Sequence, residues 1–64
     1  MENKNNLEVG KKYNLICNVL GVRSHHDLYF WGMVGKKYNF GISQEIGEGF
    51  NFVWSKSSFR ISNK

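Results

Sequence analysis

The sequence predicts an all-β protein, a small five-stranded antiparallel barrel. Five short apolar segments are separated by breaks that contain glycine or serine, which is the spacing of short strands and turns. The first segment alternates apolar and polar residues with a period of two, as a strand with one buried face does. Aromatic residues make up 16% of the 64 residues, so large rings can fill the core of so small a domain.

The first strand is predicted between two turn glycines, Gly10 and Gly21. From Leu7 onward the apolar residues stand almost entirely at odd positions, and these side chains are expected to face inward: Leu7, Val9, Tyr13, Leu15, Cys17 and Val19. Residues 1–6 are expected to be a flexible tail, and residues 7–64 the single domain. The polar sequence RSHHD, residues 23–27, is expected to be a loop within a long first connection.

The second strand is predicted over residues 28–34, which are apolar on both faces. The following Gly35–Lys36 fits a two-residue type II′ turn, which prefers glycine at its first central position. This turn sets four pairs of opposed residues: Val34 with Lys37, Met33 with Tyr38, Trp31 with Phe40 and Tyr29 with Ile42. Positions 29, 31 and 33 then face the core, and positions 28, 30 and 34 face outward. A three-residue loop would exchange the two sets.

The remaining strands are predicted over residues 38–42, 50–54 and 59–61. Ser55 to Ser58, the sequence SKSS, is expected to form one helical turn before the last strand. A long first connection, a hairpin and a short turn before a terminal strand resemble the arrangement of a small SH3-like barrel, which is the preferred architecture. A truncated OB-like barrel, or a sheet completed by a second copy of the chain, are the alternatives.

No arrangement of residues in the chain predicts catalysis. Cys17 shares the parity of the core residues, where a thiol acts as a small hydrophobe. Glu45 and Glu48 lie in the glycine-containing loop SQEIGEG, with nothing apolar around them to raise a carboxyl pKa. His25, His26 and Asp27 are adjacent, so on an extended chain they point to opposite sides. We therefore expect no enzyme, no metal and no cofactor.

Cysteine content and hydropathy favour a soluble, cytoplasmic protein. A single cysteine fits a reducing compartment better than a secreted one. The first ten residues lack the apolar run of a signal peptide, and residues 28–34 are too short to cross a bilayer. Abundant Asn and Lys without Pro are common in AT-rich coding sequences, including those of bacteria and their phages.

The net charge of +4 favours anionic partners, although it also serves solubility. In the preferred register apolar side chains stand outward beside basic and amide groups. The candidate binding face comprises Phe30, Val34, Lys36, Lys37, Asn39, Arg23, His25 and Arg60. In the alternative register Tyr29, Trp31 and Met33 take the place of the outward apolar residues. Arg23 with its neighbouring histidines is also a candidate site for a phosphate.

These observations predict a non-enzymatic binding module with a macromolecular partner and no membrane contact. The preferred function is a small modulator or inhibitor of another protein, of the kind that phages direct at a host enzyme or defence complex. A nucleic-acid or nucleotide-phosphate binder is the alternative, because aromatic rings beside basic residues are common in such proteins. A structural homo-oligomer is the second alternative.

Overall fold

The computed structural model describes residues 7–62, the side chain of Val19 excepted. They form an antiparallel five-stranded sheet with the order β4-β3-β2-β1-β5. The elements are β1 (Lys12–Val19), β2 (Val22–Val34), β3 (Lys37–Gly41), β4 (Asn51–Trp54), a 3₁₀ helix (Lys56–Ser58) and β5 (Phe59–Ile61). The predicted all-β class with five antiparallel strands is confirmed. The predicted tail over residues 1–6 and the predicted inward side chain of Val19 lie outside the described part.

β1 and β2 form a continuous hairpin, so the predicted long first connection is wrong. The two turn residues, Leu20 and Gly21, have φ angles of 54° and 78°, as a type I′ turn requires. Residues 23–27, predicted as a loop, belong to β2 and pair with β1 along their whole length. Their polar character does not oppose strand formation, because β1 satisfies the backbone and alternate side chains face away from the core.

The turn at Gly35–Lys36 is confirmed. Gly35 has a φ of 62° while Lys36 does not have a positive φ, which is the type II′ pattern, and Val34 pairs with Lys37. Met33 also pairs with Tyr38 as predicted.

The predicted register is wrong beyond Met33, because β2 contains a β-bulge. Phe30 pairs with Phe40 and Tyr29 with Gly41, which leaves Trp31 as the extra residue of the bulge. Phe30 and Leu28 consequently face the core, 5% and 4% exposed, so the expectation that they face outward is wrong. Tyr29, expected to face the core, lies on the opposite face.

The core lies on one face of the sheet, called here the inner face. Its buried residues are Tyr13, Leu15, Cys17, Leu28, Phe30, Tyr38, Phe40 and Phe59. Phe40 is fully buried, and its ring centroid lies 5.1 Å from that of Phe59 in an edge-to-face contact. Such aromatic pairs stabilise a fold beyond the area they bury. Phe52 and Trp54 of β4 pack against this cluster and remain half-buried.

The two edge strands of the sheet approach each other on the inner side. The rings of Trp54 in β4 and Phe59 in β5 lie 5.9 Å apart. Within residues 7–62, however, no backbone ladder joins β4 to β5, so the sheet is curved and is not closed. The short 3₁₀ helix that connects them matches the helical turn predicted for SKSS.

Candidate binding surface

The face of the sheet opposite the core, called here the outer face, follows from the strand registers, because directly opposed residues share a face. Its members are Lys12, Asn14, Ile16, Asn18, Arg23, His25, Asp27, Tyr29, Val34, Lys37, Asn39, Gly41, Asn51, Val53 and Arg60. These side chains come from all five strands. The outer face is therefore one continuous surface built from residues that are far apart in the sequence.

Positive charge is concentrated on the outer face. Its basic residues are Lys12, Arg23, Lys37 and Arg60, all of them exposed. Asp27 is the acidic residue of this face, since Glu8, Glu45 and Glu48 lie outside the strands. The inner positions of the described strands carry no Lys, Arg, Asp or Glu. The alternation of the strands thus separates an uncharged core from a basic surface.

Two adjacent lysines stand on opposite sides of the sheet. The Nζ atom of Lys12 lies 5.9 Å from the ring centroid of Tyr29 on the outer face. The Nζ atom of Lys11 lies 5.5 Å from the ring centroid of Tyr13, a core residue. Both are cation–π distances. Lys12 and the half-buried Tyr29 are therefore the pair that places a cation beside an aromatic ring on the outer face.

A second basic cluster lies where β2, β1 and β5 run side by side. Arg60 is opposite Ile16, and Ile16 is in turn opposite His25. Arg23 is opposite Asn18, two residues further along β1. The predicted candidates Arg23, His25 and Arg60, separated by up to 37 positions in sequence, thus lie on neighbouring strands of one face.

A half-open groove of about 190 Å³ lies at this cluster. It is lined by Ile16, Asn18, Arg23, Ser57, Ser58, Phe59 and Arg60. No carboxylate lines it, and within residues 7–62 neither arginine side chain has a hydrogen-bond or ion-pair partner. Ser57 and Ser58 come from the 3₁₀ helix, so the connection between β4 and β5 forms one wall.

Trp31 covers part of the outer face. Its ring lies against Gly41, in the place of a side chain at that position, and its Nε1 atom donates a hydrogen bond of 2.8 Å to the carbonyl of Ser43. Trp31 is 8% exposed as a result. Of the aromatic residues in the alternative candidate set, only Tyr29 keeps a share of exposed surface beside the cations.

The structure brings most of the predicted site residues together. Arg23, His25, Val34, Lys37, Asn39 and Arg60 are on the outer face, whereas Lys36 is in the turn beside it and Phe30 is in the core. Met33 is 51% exposed near the same turn. Sequence reasoning missed Lys12 and Asn51. The inward parity of Tyr13 already indicated that Lys12 faces outward, but the register of β4 was needed to place Asn51.

A separate apolar pair lies at the end of β3 and β4. The amide of Ile42 donates a 3.1 Å hydrogen bond to the carbonyl of Phe50, which extends the pairing of these strands. Ile42 is 50% and Phe50 is 77% exposed. Ile42 lies on the same side of its strand as Phe40, and Phe50 lies on the same side as Phe52. Both are past the end of the buried core. Two rows of core residues therefore end in exposed apolar side chains.

The remaining reactive side chains are placed as follows. Cys17 is 2% exposed, and desolvation by burial raises the pKa of its thiol. His25 is exposed on the outer face, whereas the ring of His26 lies 5.7 Å from that of Phe52 on the inner face, as the predicted alternation requires. Among the described residues no three His, Cys, Asp or Glu side chains are grouped as metal ligands would be.

The part of the chain described here contains no helix that is both long and apolar enough to cross a bilayer. Comparison of the chain with protein-family models, with curated proteins and with solved structures finds no match.

Proposed function

We propose that the protein is a non-enzymatic binding module whose outer face binds single-stranded nucleic acid. The observation that carries this proposal is the segregation of charge within the strands: four basic residues and one acidic residue share the outer face, and the inner positions of the strands carry no charged side chain. A surface of this kind attracts a polyanion, because basic side chains outnumber acidic ones on it.

The remaining groups of the outer face suit the same ligand. Asn14 and Asn18 supply amides that can bind phosphate oxygens and base edges, whereas Asn51 Nδ2 donates a 2.8 Å hydrogen bond to Asn39 Oδ1. Tyr29 beside Lys12 offers a ring for stacking next to a cation, a combination that recurs in single-strand binders.

Salt dependence is the test of this proposal. A fluorescently labelled oligothymidylate is titrated with the protein at several salt concentrations, and binding is followed by fluorescence anisotropy. Contacts with Z phosphates give a log–log slope of about −0.7Z, so engagement of three or four cations predicts a slope between about −2 and −3. Undetectable binding at low salt, or a slope near zero, would contradict the proposal.

Lys11 and Lys12 provide a matched pair of variants for the same assay. Lys12→Gln is expected to reduce affinity about threefold or more and to flatten the salt slope by about 0.7, because one phosphate contact is lost. Lys11→Gln removes the same charge from the other side of the sheet and is expected to have a smaller effect. Equal losses would show that net charge, and not the outer face, determines binding.

A protein-binding modulator, of the phage type that inhibits a host enzyme or defence complex, is the second candidate. The exposed Ile42–Phe50 pair supports it, since apolar side chains that continue a core into solvent are typical of protein contacts. Its test is capture of a host protein that is lost with Phe50→Ser and kept with Leu20→Ser. Leu20 is 97% exposed on the β1–β2 turn, remote from the strand ends that carry the pair, and so serves as the control.

Three further elements of the proposal concern assembly, architecture and location. β4 has a single neighbour in the sheet, so a second copy pairing with this edge would make a homo-oligomer, which light scattering would detect. The 3₁₀ helix before β5 and the β2–β3 hairpin support an SH3-like barrel over an OB-like one, although the long first connection is absent from the described residues. A cytoplasmic location is supported by the single cysteine.

A further inference from the structure

We propose that the groove between Arg23 and Arg60 is a phosphomonoester site, and that it holds the terminal phosphate of a bound strand. The inference deepens the proposed function and rests on it where the ligand is a strand. It assigns recognition of the terminal phosphate to the groove at one end of the outer face.

The geometry of the two arginines is the first argument. Arg23 in β2 and Arg60 in β5 flank β1 from opposite sides, opposite Asn18 and Ile16 respectively. Their backbones are two strand spacings apart across the sheet and two residues apart along it, roughly 12 Å in all. Two extended arginine side chains span such a gap toward its middle, so both guanidinium groups can reach one ligand above β1.

Charge is the second argument. An internal phosphodiester carries one negative charge, whereas a phosphomonoester carries about −1.5 to −2 at neutral pH. Two guanidinium groups around a single small groove match the monoester. The lining of the groove contains no carboxylate that would neutralise either arginine.

The lining is the third argument. The hydroxyls of Ser57 and Ser58 and the amide of Asn18 are donors on the rim, and Ser58 Oγ is held 2.7 Å from Ser55 Oγ. Ile16 contributes apolar surface to the floor. A charge-assisted hydrogen bond is stronger over such a floor than in open solvent. The groove is half-open, so a strand whose terminal phosphate is bound there can extend out of it across the outer face.

The test compares an oligothymidylate that carries a 5′-phosphate with the same oligonucleotide ending in a hydroxyl, and repeats the comparison for the 3′ end. We expect the phosphorylated form of one end to bind about tenfold more tightly, the effect of one to two charge-assisted hydrogen bonds. Arg23→Gln and Arg60→Gln are each expected to remove this ratio. Each is also expected to weaken binding of the hydroxyl form about threefold, as Lys12→Gln does, because one cation of the outer face is lost.

Lys37→Gln is the matched control, since it lies on the outer face away from the groove. It is expected to weaken both forms equally and to preserve the ratio. Thermal unfolding of each variant separates a loss of binding from a loss of fold. Equal affinity of the phosphorylated and hydroxyl forms for the wild-type protein would overturn the role of the groove in holding the end of a strand, while leaving the proposed function standing.

A free nucleotide is the other source of a phosphomonoester. Adenosine monophosphate and adenosine are therefore compared by their effects on the backbone amide resonances of the protein. Shifts at Arg23, Arg60 and Ser58 with the monophosphate alone support the site. If they occur while neither oligonucleotide binds, the site stands with a nucleotide ligand and strand binding is overturned. No shift with the monophosphate and no terminal-phosphate preference together overturn the inference.

Discussion

The indole ring of Trp31 lies on the backbone of Gly41, in the space that a side chain at position 41 would occupy. Gly41 does not have a positive φ, so it is required for the room it leaves and not for its backbone conformation. We predict that Gly41→Ala destabilises the protein by about 1–3 kcal/mol, because the methyl group displaces a buried ring. Urea unfolding followed by tryptophan fluorescence measures this cost.

A double-mutant cycle tests the cause. In a Trp31→Ala background, Gly41→Ala is expected to cost much less than in the wild-type chain, since the two changes share one contact. Asn51→Ala is the control, because Asn51 is exposed and lies opposite Gly41. Its cost is expected to be the same in the wild-type and Trp31→Ala backgrounds. Equal costs of Gly41→Ala in both backgrounds would show that the indole ring is not the reason for glycine at this position.

The buried and exposed phenylalanines of the β3–β4 hairpin are predicted to differ in their importance for stability. Phe40→Ala is expected to cost about 3–5 kcal/mol, enough to unfold most of a small domain at room temperature. Phe50→Ala is expected to change stability by no more than about 0.5 kcal/mol, because the ring is already 77% exposed. Circular dichroism melts compare the two, and a folded Phe40→Ala variant would contradict the inner face described above.

Burial of Cys17 predicts a stability that falls at alkaline pH. The pKa of its thiol is raised in the folded state, so the unfolded chain loses this proton first as pH rises. The contribution is fully present below about pH 8.5, where an unperturbed thiol titrates, and is lost as pH rises through the folded pKa. Cys17→Ala is expected to reduce the alkaline decline of the urea midpoint, and parallel declines in both proteins would contradict this.

Asp27 provides a prediction of opposite sign for the outer face. Asp27→Asn removes the acidic group from this surface and is expected to tighten binding of an oligothymidylate about twofold to fivefold at low salt. Glu48→Gln makes the same charge change in the loop after β3 and is expected to have little effect. The anisotropy assay distinguishes them, and equal effects would exclude a role for the position of the charge.

Much of the fold could be predicted because one face of β1 is buried. The inward parity of Tyr13, Leu15 and Cys17 is confirmed, whereas Val9 is 58% exposed and its predicted inward position is wrong. The glycine-first turn at Gly35 places the β2–β3 hairpin correctly near its tip. The bulge at Trp31 was not predictable from alternation, because residues 28–34 are apolar on both faces. It depends on a fit between Trp31, Gly41 and the carbonyl of Ser43, residues that only the folded sheet brings together.

The candidate site was only partly predictable for a related reason. In residues 23–27 the side chains on the inner face are Ser24 and His26. The segment therefore shows no alternation of apolar and polar residues, and its sequence resembled that of a loop. The pairing of Arg60 with Ile16 requires β5 to lie beside β1, which is a property of the topology and not of either segment. One signal did indicate an unbroken hairpin. After the turn at Gly21, the even-numbered Ser24, His26 and Leu28 continue one alternating face into the second strand.

Because odd and even positions of a strand lie on different faces, neighbouring residues of the chain are subject to different constraints. In β1, substitutions at Leu15 and Cys17 are tolerated only if the core still packs, whereas those at Asn14 and Asn18 change the surface alone. Substitutions on the outer face can therefore change this surface while the core stays packed. A single inserted residue within β1 has the contrary effect, because it exchanges the faces and alters the core and the surface in one step.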